Sequence, residues 1–196
     1  LVGIFKSRFL KRLESSIDAF RISIRRALEF IKTFDEYIQD DIVLDAASFA
    51  TAMRLLDQET ADDDNGTPTS RAGEIDASEA ARQIIESLPR LKSSEYNRRA
   101  IHHDLVRDID NLTAIWYSID KLGLKEDDKL QALKDLLAGD LRGHKVIVFS
   151  YYKDTGRYLY RALTGPENEG WRAAMGNPTI RRIDSDVAPA DRVRLV

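Results

Sequence analysis

From Phe9 to Tyr37 apolar side chains return every seven residues. Leu10, Ile17, Ile24 and Ile31 hold one position of the heptad, and Leu13, Phe20, Ala27 and Phe34 hold another. Leu28 and Phe30 widen the stripe, Arg21, Arg25, Arg26 and Lys32 fall on its polar side, and neither Gly nor Pro interrupts it. The spacing predicts a single long helix packed on other helices. A second helix is expected over Ile42 to Thr60, with Leu44, Ala47, Phe49, Ala50, Met53, Leu55 and Leu56 on its apolar side. The stretch 60–76, with Asp62-Asp63-Asp64-Asn65-Gly66-Thr67-Pro68, reads as a loop. Asp76 or Ser78 is suited to cap a further helix that buries Ala80, Ala81, Ile84, Ile85 and Leu88 and is limited by Pro89. From Asn97 to Leu122 the positions Ile101, Leu105, Ile109, Leu112, Trp116 and Ile119 share one helical face, with Gly123 as the expected stop.

The pattern changes after Leu122. Leu130, Leu133, Leu136 and Leu137 mark a short amphipathic helix within Lys125 to Gly143. Val146 to Phe149 then form a continuous apolar run, which predicts a parallel strand covered on both faces. Thr155, Tyr158, Leu159, Ala162 and Leu163 return to helical spacing. After a Gly/Pro/Asn-rich stretch from Gly165 to Pro178, Thr179 to Asp184 reads as a second strand, and Pro189 opens a helix carrying Val193 and Leu195. The expected fold class is therefore α+β. A helical bundle or arm over 1–124 is followed over 125–196 by the beginning of an α/β lobe with a parallel sheet. About two strands cannot stand alone, so the chain is expected to be a piece of a longer protein.

Composition narrows the function. Net charge is −3 overall, but residues 129–196 carry 12 basic and 8 acidic side chains and so +4, leaving −7 for the first 128. A mildly basic C-terminal part suits phosphate, though weakly. The chain has no cysteine, which removes disulfides, thiolate metal sites and cysteine nucleophiles, and fits a cytoplasmic setting. No apolar run approaches the roughly 20 residues that span a bilayer, so no membrane partner is expected.

Several local patterns resemble superfamily-two helicases, and within them Swi/Snf-type DNA-dependent ATPases and related bacterial helicase-like proteins. Phe9-Leu10-Lys11-Arg12-Leu13-Glu14-Ser15-Ser16 is similar to the segment in which such proteins leave their first motor lobe. Asp128-Lys129-Leu130 resembles the lead-in helix of the second RecA-like lobe. Lys145 to Thr155 resembles its motif IV strand and the helix that follows. Ile183-Asp184-Ser185-Asp186 with Arg192 resembles the next strand and its sequel, with Ser185 where Gly is usual. The resemblance implies an interlobe helical region followed by the start of the C-terminal RecA-like lobe, and leaves Ile42 to Leu122 as an insertion.

That resemblance also implies what the chain lacks. It has no phosphate loop and no acidic Mg²⁺ motif, so it holds no cofactor and no catalytic residue of its own, whereas the parent would bind ATP and Mg²⁺. The implied partners are nucleic acid, expected to be double-stranded DNA, and the other motor lobe, with a protein partner possible on the helical region. Ser150, Tyr151 and Lys153 at the end of the key strand are the candidate nucleic-acid contacts, with Lys11 and Arg12 as further candidates. For each, a packed or solvated role is the competing reading. Adjacent His102 and His103 point about 100 degrees apart on a helix and cannot share a metal, so no metal site is expected. Trp171 beside Arg172 suits packing of its loop, or stacking on a base. The rival function is a helical protein-interaction module with a small α/β appendage.

Overall fold

The N-terminal apolar pattern does form helix, but two helices rather than one. The computed structural model of the chain describes residues 2–45, 47–48, 51–52 and 71–184. Helix α1 (Val2–Ser15) and helix α2 (Ile17–Gln39) meet at Ser16. The backbone ladder runs across the junction, with Ser16 N–H donating to Arg12 O at 3.0 Å and Phe20 N–H to Ser16 O at 3.1 Å. Ser16 leaves the helix because its Oγ caps α2, accepting the Ala19 N–H at 3.1 Å.

The inward face changes at this junction. Ile24, Ala27, Leu28, Phe30, Ile31 and Phe34 are buried as the predicted stripe requires and Ile38 joins them, yet Leu10 and Leu13 remain 47% and 42% exposed. In their place Arg12, Ser16, Ala19 and Ser23 are buried, a second stripe at helical spacing.

After α2, Asp41 adopts a left-handed φ of 66°, which a short polar side chain tolerates, and the chain enters strand β1 (Ile42–Val43). Asp45 then accepts the Ser48 N–H at 2.6 Å, a bond that holds its carboxyl below the ordinary range. The predicted second helix is thus replaced at its start by a strand. Residues 47–48 and 51–52 are helical, while Phe49, Ala50, Met53, Leu55 and Leu56 lie outside the described residues.

Helix α3 (Arg71–Ser87) begins earlier than expected, so 71–76 is helix rather than loop and neither Asp76 nor Ser78 is a cap. Its buried positions Ala81, Ile84 and Ile85 match the predicted face. The run Asp62 to Pro68 lies outside the described residues. Strand β2 (Leu91–Lys92) pairs antiparallel with β1, Ile42 opposite Lys92 and Val43 opposite Leu91.

Helix α4 (Arg98–Asp120) is capped by Asn97, whose Oδ1 accepts the Ala100 N–H at 3.1 Å. It buries Leu105, Leu112 and Ile119. Its end is held by a side chain rather than by Gly123: Arg21 donates from Nε and Nη2 to the Ile119 carbonyl at 2.9 and 2.6 Å, placing a cation on the orphan carbonyls of the last turn.

Helix α5 (Asp128–Ala138), helix α6 (Lys153–Thr164), a 3₁₀ turn (Pro166–Asn168) and helix α7 (Glu169–Ala174) complete the described elements. The stretch read as a loop after Gly165 is therefore largely helical. The chain divides into two compact units. The first joins Leu1–Phe9 to Arg21–Asp120, and the second joins Leu10–Phe20 to Lys121–Val196.

Among the described residues the chain is mainly helical with one small antiparallel ladder, an α+β composition in which the expected parallel sheet is not seen. Val146 to Phe149 and Thr179 to Asp184 are extended, but neither belongs to a ladder among the described residues. An apolar run specifies a strand only when a neighbour accepts its backbone hydrogen bonds, and none does so among the described residues. The helix expected from Pro189, and Ser185, Asp186 and Arg192, lie outside the described residues.

Candidate functional site

In the second unit three segments distant in sequence meet around the first turn of α6. The N-terminal segment Leu10 to Ser16 supplies the most buried contact. Arg12 Nη1 lies 2.6 Å from Asp154 Oδ2, with only 5% and 7% of the two side chains exposed. The guanidinium also stands 4.2 Å from the centre of the Tyr152 ring, so it lies over the ring while its Nη1 holds the carboxylate. A buried pair of this kind is retained by geometry and by its further contacts, since desolvation alone opposes it.

The next turn adds a hydroxyl chain. Thr155 Oγ1 is 2.6 Å from Ser15 Oγ and 2.9 Å from Ser16 Oγ. Ser16 therefore both caps α2 and ties it to α6. Asp18, in the first turn of α2, receives Arg161 Nη2 at 3.1 Å.

The third segment is the start of α5. Lys129 Nζ donates to the carbonyls of Glu14 and Ser15, the latter at 3.3 Å, and so satisfies the last turn of α1. Asp127 caps α5 by accepting the Leu130 N–H at 2.9 Å, while its other oxygen accepts the Tyr158 hydroxyl at 2.6 Å. Beneath these polar contacts Leu130, Tyr158, Ala162 and Leu163 form a small core, flanked by Ile17, Leu124, Leu137, Leu159, Trp171 and Ile180.

The far end of α6 is closed by side chains. Arg172 Nη1 donates to the carbonyls of Leu163 and Gly165 at 2.8 and 2.9 Å, and Asn168 Nδ2 to that of Ala162 at 2.7 Å. Trp171 packs against the core with Lys134 Nζ 5.7 Å from its ring centre. Asp184 pairs with Arg182 at 3.1 Å and approaches Arg157 at 4.0 Å.

The five residues singled out from sequence are placed very differently. Tyr151 is 93% exposed, and its ring meets Tyr152 edge-on at 5.1 Å. Ser150 is exposed, its Oγ accepting the Tyr152 N–H at 3.3 Å and lying 3.1 Å from the Tyr152 carbonyl. Lys153 is half-buried at the start of α6, and Lys11 is exposed. Arg12 is buried in its ion pair and presents no surface to a ligand.

Sequence reasoning overlooked Asp154, Ser15 and Ser16 as partners of Arg12 and Thr155. A signal was present: Thr155 stands on the apolar stripe of its helix, an inward polar residue that needs a partner.

The extended run Val146 to Phe149 splits by alternation, as a strand would. Val146 and Val148 face a cavity of ≈ 460 Å³ also lined by Leu159, Leu163, Trp171 and Ile180. Ile147 and Phe149 turn outward, 61% and 88% exposed.

Among the described residues no group of His, Asp or Glu side chains is arranged to hold a metal ion, and no helix is long and apolar enough to cross a membrane. Comparison with protein-family models, curated proteins and solved structures finds no match.

Proposed function

We propose that the chain is part of an ATP-dependent helicase-like or translocase-like protein of the Swi/Snf type. In this reading it couples the two motor lobes and adds to a double-stranded DNA surface, without hydrolysing ATP by itself. One observation carries the reading. Three of the four segments that resemble helicase patterns, Phe9 to Ser16, Asp128 to Leu130 and Lys145 to Thr155, interlock through Arg12, Lys129 and Asp154 although they are widely separated in sequence. Such an interlock suits a part that passes force from one lobe into the next.

Ser150, Tyr151 and Lys153 are the proposed contacts to the nucleic-acid backbone, and the setting is cytoplasmic. ATP and Mg²⁺ belong to the parent protein. The test is ATPase activity: a protein carrying this chain with its flanking sequence should hydrolyse ATP faster when duplex DNA is added, and the 196-residue chain alone should not. A parent without DNA-stimulated hydrolysis overturns the proposal.

The exposure of Leu10 and Leu13 favours a second reading, a helical module whose outward heptad positions bind a protein. A mass that rises with concentration, and stays monomeric when both leucines become serine, would support it.

A further inference from the structure

We propose that Arg12 is a positioning residue that sets the Ser150–Lys153 turn for nucleic acid without touching nucleic acid itself, an inference that rests on the reading of that turn as a contact surface. Arg12 meets the turn at two points. Its Nη1 holds Asp154 at 2.6 Å just after the turn, and its guanidinium plane stands 4.2 Å from the ring of Tyr152 within it. Tyr152 in turn meets Tyr151 edge-on, and its backbone closes on Ser150 Oγ. The buried cation is thus linked by two short steps to two exposed candidate contacts. Ser15 and Ser16, bonded to Thr155, fix the same helix end from the next turn.

This arrangement accounts for a basic residue in a basic segment that is nonetheless buried. A phosphate contact needs a solvent-facing cation, whereas a positioning role needs a locked one. It also assigns a purpose to the Arg fork. Lysine would keep the charge but lose the planar guanidinium that stands over the Tyr152 ring while reaching Asp154.

Asp154→Asn separates the two roles by the sign of its effect. Affinity of the full 196-residue chain for a fluorescein-labelled 20-base-pair DNA duplex is measured by anisotropy, with circular dichroism reporting the folded state. If Arg12 positions the turn, Asp154→Asn weakens binding about fivefold to tenfold, and Arg12→Lys does nearly the same. If Arg12 meets phosphate directly, removing the neighbouring carboxylate frees a cation, so Asp154→Asn strengthens binding and overturns the proposal. No change in either variant overturns it equally.

Because single variants can unfold, the apolar pair Arg12→Met with Asp154→Leu supplies a second arm. The pair restores packing but removes both the ion pair and the guanidinium over the Tyr152 ring, so the positioning role predicts a loss of DNA affinity like that of Arg12→Lys in a chain that circular dichroism shows folded, and affinity within about twofold of the unmodified chain overturns it. Fluorine NMR on 3-fluorotyrosine-labelled protein reads the turn without DNA: the Tyr151 and Tyr152 resonances should shift and sharpen in Arg12→Lys. Unmoved resonances refute the positioning role. Shifted resonances in a chain that does not bind the duplex preserve it and instead refute the nucleic-acid reading of the turn.

Discussion

The two compact units bury opposite kinds of residue. In the first, Ile24, Phe30, Ile38 and Ile85 are almost wholly enclosed, and the long helices hold their places through apolar stripes. In the second, the core is smaller, and an ion pair, a hydroxyl chain and several side-chain caps organise the helices around it. Its most apolar stretch, Val146 to Phe149, is largely exposed. Apolar periodicity is non-directional and tolerates sliding. The contacts of Arg12, Ser16 and Lys129 fix one register between segments, which polar networks do at the expense of stability.

Substitutions that break each kind of core should therefore differ in how they can be repaired. The largest expected losses are similar. Phe30→Ala should lower unfolding free energy by roughly 3–5 kcal/mol in denaturant titrations, from lost transfer energy and the cavity left behind. Arg12→Ala should lose roughly 3–5 kcal/mol as well, because it strands the Asp154 carboxylate in a buried site. Only the second should be reversible: adding Asp154→Leu to Arg12→Met should restore stability to near the original. If Arg12→Ala costs no more than a surface change, the second unit is not organised by that pair.

Ser16→Ala is the next in size. It removes the cap of α2 and one partner of Thr155, and about 1 kcal/mol of stability should go with it in the same titration. Phe149→Ser should fall within about 0.5 kcal/mol, since its ring is already in water; a large loss would show that this stretch is covered.

The smallest effect is a titration. The Tyr37 hydroxyl donates to Glu86 at 2.7 Å, and this bond, followed by burial, raises its pKa above the ordinary value of 10.0. A raised folded pKa means that the contribution is complete below the unfolded value and fades as pH rises through the folded one. Stability of the unmodified chain should therefore decline faster between about pH 10 and 12 than that of Tyr37→Phe.

Much of the first unit was legible because helical burial leaves a periodic trace. Leu105, Leu112 and Ile119 were assigned from spacing alone, and so were Ala81, Ile84 and Ile85. The break at Ser16 was not, because the heptad of Leu10, Ile17 and Ile24 passes across it without a missing beat. The cap that Ser16 offers to Ala19 and its bond to the distant Thr155 together show why a serine interrupts the helix there.

The two-residue ladder of β1 and β2 lies below the length at which alternation can be read. Val146 to Phe149 shows the reverse limit. Its residues alternate like a strand, but pairing is a property of two segments and cannot be read from one. In the candidate site, Ser150, Tyr151 and Lys153 are candidates by their place after an apolar run. The burial of Arg12 was invisible, because Asp154 lies 142 residues away.

The coupling between Arg12 and Asp154 tests the central claim most directly. A double-mutant cycle of Arg12→Met, Asp154→Leu and the pair, followed by urea denaturation of the full chain, isolates their interaction from the cost of each change. The interlocked site predicts a coupling of at least about 3 kcal/mol, with each single variant much less stable than the double. Additive effects, with coupling below about 0.5 kcal/mol, would contradict it.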